Sequence, residues 1–212
     1  MLPTGAPKFK RRKAERPDEI VAAAFQVFAE KGFAAARLDD IAARAGVSKG
    51  AIYLYFATKE DIFRAVVEQA VAPNLGHVRA AIAAHPDSFP DLLRSFVAVI
   101  AGLIESSPLG GVLKMVVGES RNFPQLAQAW HDTLVAPALM AMTAAIAAAQ
   151  ARGELRSCDP RLAAIGLISP MLVGVIWRET FVPVGAAPLD IPALARQHVE
   201  TWLAGMSTGA AA

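Results

Sequence analysis

Hydrophobic positions along the chain recur at the spacing of an α-helix. In the first predicted helix they fall at i, i+4, i+7 and i+8, as Ile20, Ala24, Val27 and Phe28. This helix is expected to begin at Pro17, a residue type favoured at the first helical position, and to end at Gly32. The alternating pattern of strands is missing, so the sequence predicts an all-α protein.

Glycine, proline and capping residues divide the rest of the chain into further helices. A second short helix ends at Gly46, a third starts at Ser48, and a fourth runs from the capping-box residue Thr58 to Pro73. Later starts are predicted at Ser88, Ser107-Pro108, Phe123-Pro124, Asp159-Pro160 and Asp190-Ile191-Pro192. Kinks or breaks are predicted at Pro73, Pro137 and Pro170. About nine helices result.

Two windows, Leu134 to Ala149 and Gly166 to Trp177, are apolar along most of their length. Each contains a proline, and each is shorter than the roughly 20 residues that a membrane-spanning helix needs. We therefore expect them to be buried helices and expect no membrane partner.

The composition and charge of the chain indicate in which cellular compartment it works and what class of partner it binds. Apolar residues make up 54% of the 212-residue chain, and the single cysteine, Cys158, excludes a disulfide framework. The basic run Lys8 to Lys13 is followed by charged residues, not by the apolar segment of a signal peptide, so a cytoplasmic protein is expected. Residues 1–64 hold 12 Lys/Arg against 8 Asp/Glu, whereas the remainder holds 9 against 11. Residues 1–15 are accordingly interpreted as a basic flexible arm, either solubilising or in contact with nucleic acid.

The second and third predicted helices are joined by a short turn that contains glycine. Residues 41–56, IAARAGVSKGAIYLYF, therefore have the arrangement of a helix-turn-helix, with Val47, Ile52 and Phe56 spaced to face the core. The outer face or its edges keep Ser48, Lys49, Gly50, Ala51, Tyr53 and Tyr55. The small residues leave room for a base edge, and a tyrosine hydroxyl can reach a phosphate oxygen. The alternative for both tyrosines is half-buried packing.

The stretch FAEKGFAAARLDDIAARAGVSKGAIYLYFATKE, within residues 25–63, resembles the DNA-binding domain of the TetR family of bacterial transcriptional regulators. The resemblance implies that Lys49, Gly50 and Ala51 begin the recognition helix. It also implies that Tyr53, Tyr55 and Lys59 contact phosphate. Residues 16–62 are accordingly interpreted as the helix-turn-helix domain, and residues 63–212 as a helical ligand-binding and dimerisation domain.

The chain departs from the family pattern at the start of its second helix. Members commonly have Thr or Ser at the positions of Ala36 and Arg37, where the hydroxyl caps the helix and touches phosphate. Asp39 and Asp40 are expected to compensate in part through the helix dipole. We expect Arg37 to supply the phosphate contact instead.

The resemblance also implies a role for the weakly matching remainder of the chain, because similar regulators are dimers whose C-terminal domain binds a small molecule. The last two helices, over residues 160–181 and 190–206, mix small with large residues and suit a four-helix bundle between subunits. The alternative is that they only complete the core of one chain. Candidate residues for a pocket that takes a hydrophobic or amphipathic ligand are Phe96, Met115, Trp130, His131, Met140, Met171 and Trp177. For each apolar candidate, the alternative is an ordinary place in the core.

The function expected from these features is sequence-specific DNA binding by a homodimeric repressor, which a small hydrophobic ligand releases from a palindromic operator. An activator, or a regulator controlled by a protein partner, remains an alternative. A metal-binding all-α enzyme is a remote one, because the four histidines lie far apart and no HExxH or phosphate-binding motif is present. No cofactor is expected. The fourth helix is expected to link the two parts, as the only segment that spans both.

Overall fold

The computed structural model describes residues 8–69, 88–106 and 109–209. Its helices are α1 Lys8–Ala35, α2 Leu38–Ala45, α3 Lys49–Tyr53, α4 over residues 59–69, α5 Phe89–Ser106, α6 Leu109–Glu119, α7 Pro124–Ala151, α8 Pro160–Thr180 and α9 Ile191–Met206. Within these residues the single β feature is an isolated bridge between Leu155 and Ser207. The prediction of an all-α fold is confirmed.

Helix α1 begins earlier than the sequence pattern indicated. It starts at Lys8, not at Pro17, because the lysine, arginine and alanine residues between them favour helix. Residues 8–15 of the predicted arm are thus helical, and residues 1–7 lie outside the described part. Gly32, with φ of 74°, interrupts the helix where its end was predicted.

Most predicted helix starts carry the expected caps. The Thr58 hydroxyl accepts from the Asp61 N–H at 3.1 Å, and the Asp61 carboxylate accepts from the Thr58 N–H at 3.0 Å, which completes the capping box. Asp159 caps α8 and Asp190 caps α9 through backbone N–H groups of the first turn. The predicted start at Ser107-Pro108 falls on residues outside the described part.

The internal prolines are accommodated within continuous helices. In α7, Pro137 follows a π-helical turn, His131–Val135, which adjusts the hydrogen bonding where proline lacks an N–H. Helix α8 continues through Pro170 to Thr180. Pro73 lies outside the described residues.

Buried side chains form two core clusters. The first core combines helices α1–α4 with residues from α6 and the start of α7, including Val112 and Trp130. The second core combines α5, the later part of α7, α8 and α9. The fourth helix is therefore not the sole contact between the two parts, because α6 also packs directly against α1. The role of the fourth helix as the connection stays a prediction.

Helices α7 and α8 leave much apolar surface uncovered. Only 17% and 28% of the residues in the most apolar 18-residue windows of these helices are buried. Most residues of Leu134 to Ala149 and Gly166 to Trp177 are likewise exposed or half-buried, so the expectation that these two windows are buried is wrong for the single chain. Both helices run on through their prolines, and a short 3-10 helix, Val182–Val184, follows α8. The resulting spans, Pro124–Ala151 and Pro160–Val184, are long and apolar enough to cross a membrane by length and composition alone. The bent pair Phe89–Ser106 and Gly110–Glu119 meets the same test if taken together.

The uncovered surface of α8 forms a stripe along one side of the helix. Its exposed large side chains, named here the α8 stripe, are Leu162, Ile165, Leu172, Val173 and Ile176. The exposed positions of the neighbouring α9 are polar or small: Arg196, Gln197, Glu200, Thr201, Ala204 and Gly205. Within one chain, the stripe has no covering element among the described residues.

Candidate nucleic-acid interface

Local signals in the sequence build the turn between α2 and α3. Gly46 adopts φ of 65° and ψ of 31°, the left-handed conformation that ends α2. Ser48 then caps α3, since its hydroxyl accepts from the Ala51 N–H at 3.2 Å. Ile52 is fully buried in the first core together with Ile41, and this fixes the side of α3 that faces inward.

The outward side of α3 matches the predicted recognition face in its exposure. Ser48, Lys49 and Gly50 are exposed, and Ala51 is half-buried. The two tyrosines differ from each other. Tyr53 is 53% exposed. Tyr55 is partly buried and packs against the first core, which is the alternative that the sequence left open for it.

The first residue of α3 is Lys49, so its ammonium lies at the helix end that, in a recognition helix, approaches DNA. Lys49 Nζ lies 3.0 Å from Asp39 Oδ2, and both side chains are well exposed. An exposed ion pair of this kind contributes little to stability. Lys49 can therefore exchange Asp39 for a DNA acceptor at small cost.

The start of α2 is capped by an aspartate in the absence of a Thr or Ser hydroxyl. Asp40 accepts from the Arg37 backbone N–H at 3.3 Å and pairs with Lys31 Nζ at 2.9 Å. The hydrogen bond from Lys31, followed by that from the Arg37 backbone, lowers the pKa of Asp40, which keeps the cap ionised. The Arg37 side chain is exposed.

Lys59 is placed differently from the other predicted DNA contacts. Its ammonium lies 2.7 Å from the Phe33 carbonyl oxygen, 3.3 Å from that of Ala34 and 3.1 Å from that of Ala36. It also sits 4.5 Å from the centre of the Phe33 ring. Burial lowers the pKa of Lys59, against the attraction of the carboxylates of Glu60 and Glu119.

One interaction of the domain was missed by sequence reasoning. Arg44 of α2 makes two parallel hydrogen bonds to Glu30 of α1, at 2.6 and 2.8 Å. This bidentate geometry fixes the two helices relative to each other, and the bond from Arg44 lowers the pKa of Glu30. The partners are separated along the chain, so no local pattern indicated the pair.

The predicted ligand-binding residues are divided among separate places. Met115 and Trp130 belong to the first core, whereas Phe96 and Met171 are buried in the second. Met140 is 70% exposed.

The other two ligand candidates make local contacts. His131 is exposed, with Nδ1 2.8 Å from Asp132 Oδ1. Trp177 Nε1 donates to the Ala187 carbonyl at 2.9 Å, and its ring packs on Phe181. The described residues thus do not gather the seven candidates into one pocket, and their role stays a prediction.

A groove of about 230 Å³ lies between α6 and α8. Its walls are Gly110, Leu113, Lys114, Val117, Gly118, Val175, Ile176, Glu179 and Thr180. The lining is mainly apolar, with one lysine and one glutamate, and it includes none of the predicted ligand residues. Within the described part of the chain, no group of three or more His, Cys, Asp or Glu side chains is arranged to hold a metal ion.

The two glycines of the helix-turn-helix provide a matched pair of substitutions. Gly46→Ala forces an L-residue into the left-handed region and should destabilise the fold by about 1–2 kcal/mol. Gly50→Ala meets only Ser48 Oγ at 3.9 Å and should stabilise α3 by up to about 1 kcal/mol. Urea unfolding measures both changes. Equal stability of the two variants would contradict this account of the turn.

Comparison with known families accounts for both parts of the chain. Residues 20–66 match the family described as bacterial regulatory proteins, tetR family. Residues 91–205, more than half of the chain, match the C-terminal domain of AefR-like transcriptional repressors. The first match contains α2, α3 and the turn between them, and the second spans α5 to α9 almost completely.

Individual relatives match part of the chain. The repressor BepR of Brucella suis is 39% identical over 92 residues, which cover 43% of this chain and 44% of BepR. The activator FasR of Mycolicibacterium smegmatis is 35% identical over 96 residues, covering 45% of this chain and 43% of FasR. The chain thus matches less than half the length of each of these two relatives.

The fold as a whole also has a solved counterpart. A structure described as a putative TetR-family transcriptional regulator from Mesorhizobium loti superposes with a TM-score of 0.75 at 22% identity, over 93% of this chain and 99% of that one. The related proteins are transcriptional regulators, not enzymes. The exposed outward side of α3, the helix-turn-helix and the two family matches agree: this chain belongs to the TetR family of bacterial regulatory proteins, whose members are DNA-binding transcriptional regulators.

Proposed function

We propose that the protein is a cytoplasmic homodimeric repressor that binds a palindromic operator and leaves it when a small hydrophobic or amphipathic ligand binds. The observation that carries this proposal is the exposed face of α3, with Lys49 at its N-terminal end and small residues behind it. Such a helix end approaches base edges in the major groove closely.

The proposed DNA contacts divide by chemistry. Lys49 offers a long side chain to base edges or phosphate, and Gly50 and Ala51 let the backbone come near. Ser48, Arg37 and Tyr53 are assigned to phosphate contacts, which hold the register without reading sequence. Tyr55, which packs against the first core, is assigned to supporting α3. Two such domains in successive major grooves require half-sites about one helical turn apart.

The α8 stripe supports dimerisation through the last two helices. Helix α8 has 21 residues and is about 30 Å long, so the stripe is an extended apolar surface. The small residues exposed on α9 allow a second helix pair to approach closely. A four-helix bundle between two chains covers this surface. The alternative, in which both helices only complete one chain's core, leaves it exposed to water.

Release by a ligand is supported by two features of α6, α7 and α8. Apolar surface is exposed on α7, and the groove between α6 and α8 has the mixed lining of a small-molecule site. A ligand that couples to DNA binding by about 1–3 kcal/mol weakens it roughly 5- to 150-fold. The name of BepR favours a repressor, whereas that of FasR keeps an activator as the second candidate.

The salt dependence of operator binding tests the proposal. An operator is first selected from random duplexes, and its affinity is then measured by fluorescence anisotropy between 50 and 200 mM salt. With six to ten phosphates neutralised, the affinity should fall about 10³- to 10⁵-fold over this range. An operator affinity that does not change with salt would contradict the proposal. A selected site without two-fold symmetry would exclude the dimeric arrangement.

A further inference from the structure

The corner between α1 and α2, residues 32–37, holds backbone groups that lack helical partners. Gly32 breaks the helical path with φ of 74° and ψ of 166°, so the carbonyls beyond it do not all continue the α1 ladder. Phe33 anchors the corner, since its side chain is fully buried. Helix α2 begins directly after the corner, at Leu38.

Lys59 closes the corner from the side of α4. Three carbonyl oxygens of the corner, those of Phe33, Ala34 and Ala36, lie within hydrogen-bond distance of its ammonium. An ammonium has three N–H donors, so this arrangement occupies all of them. The face of the Phe33 ring adds a cation–π contact at 4.5 Å.

Glu119, at the end of α6, contacts the same corner. Its Oε1 accepts from the Ala34 N–H at 3.3 Å. The same oxygen is 3.1 Å from the position that a Cβ on Gly32 would occupy, so the corner backbone and this carboxylate are closely fitted. Phe123, just beyond α6, packs edge-on against Phe33, and the two ring centres lie 5.0 Å apart.

We propose that Lys59 is a positioning residue for DNA binding and not a phosphate ligand, and that with Glu119 it sets the place of Arg37 and the start of α2. To reach a phosphate, Lys59 would have to leave three carbonyls and an aromatic face. Lys49, by contrast, is exposed, and its partner among the described residues is an exposed carboxylate, that of Asp39. This inference rests on the DNA-binding function stated above.

Two substitutions at Lys59 separate positioning from phosphate contact. Lys59→Met keeps the stem and removes the ammonium, whereas Lys59→Arg keeps the charge but replaces a compact donor with a planar one. Operator affinity of the full-length dimer is measured well below its unfolding temperature, at several salt concentrations, with Lys49→Met as the matched variant. Thermal unfolding is recorded for each protein.

A positioning role predicts that each Lys59 variant binds the operator more weakly than the wild type, roughly 5- to 150-fold. This factor should be the same at every salt concentration. The slope of log affinity against log salt should then equal that of the wild type, whereas Lys49→Met should reduce it by about 0.9.

Three outcomes would overturn the inference. A slope reduced by about 0.9 in Lys59→Met would assign Lys59 to phosphate. If Lys59→Arg binds the operator with wild-type affinity, Lys59 would also be assigned to a phosphate contact. Unchanged affinity with a lowered unfolding temperature would leave only a supporting role in stability. If Lys59→Met does not fold, the Lys59→Arg result decides. Salt-independent binding by the wild type would refute the DNA-binding function itself and is thereby distinguished from these outcomes.

Discussion

Replacing Phe33 with alanine is expected to destabilise the folded protein by about 3–5 kcal/mol, the usual cost of removing a buried ring. Phe33 is fully buried, and its ring centre lies 5.3 Å from that of Phe28, 5.7 Å from Phe63 and 5.0 Å from Phe123. It therefore joins α1, α4 and the segment after α6 at a single point. A loss of this size is a large fraction of the stability of a typical domain.

Urea unfolding in the absence of DNA measures the effect of Phe33→Ala. Tyr53→Ala is the control, because it removes a ring of similar size from the same domain at a position that is 53% exposed. Its stability should stay within about 0.5 kcal/mol of the wild type. A loss below about 1 kcal/mol for Phe33→Ala would show that the surrounding rings close the cavity.

The second large effect is expected from Val173→Glu in the α8 stripe. Val173 is 59% exposed in the single chain, so a glutamate there does not disturb the chain's own core. In the proposed dimer it places a charge in an apolar interface, which is costly unless the charge is paired. The dimer should dissociate, and operator affinity should fall at least about 100-fold, because two linked recognition helices bind far more tightly than one.

Analytical ultracentrifugation and operator binding together measure this second effect. Met140→Glu is the control, since it makes the same change at an exposed apolar site on α7, outside the last two helices. This variant should remain dimeric. A Val173→Glu protein that sediments as a dimer would require the interface to lie elsewhere on the molecule.

Short-range signals explain why the helix-turn-helix was predictable. Gly46, Ser48 and the Thr58–Asp61 box each act on backbone groups within a few residues, so their effects are visible in the sequence as spacing. Ile52 is buried because helical periodicity places it on the inward side. The same reasoning located the caps of α8 and α9.

Contacts between distant residues account for what was not predictable. Lys59 meets carbonyls more than twenty positions earlier, and Glu119 meets Ala34 across a still longer separation. No periodicity encodes such contacts. The exposure of α7 and α8 was missed for another reason, since an apolar window shows that a surface avoids water but not which surface covers it. The ligand candidates failed to converge because core and pocket use the same residue types, as Met115 and Met171 illustrate.

The sharing of the first core between N-terminal and later helices affects how such regulators can be recombined. Side chains from α6 and α7, Val112, Met115, Val116, Leu126 and Trp130, are part of the packing that supports the helix-turn-helix. A chimera cut after α4 would join this helix-turn-helix domain to the C-terminal domain of another regulator, whose surface does not fit the first core. A graft that carries residues 109–130 together with the helix-turn-helix domain keeps the native contacts of the first core. In this protein the exchangeable unit is therefore discontinuous along the chain.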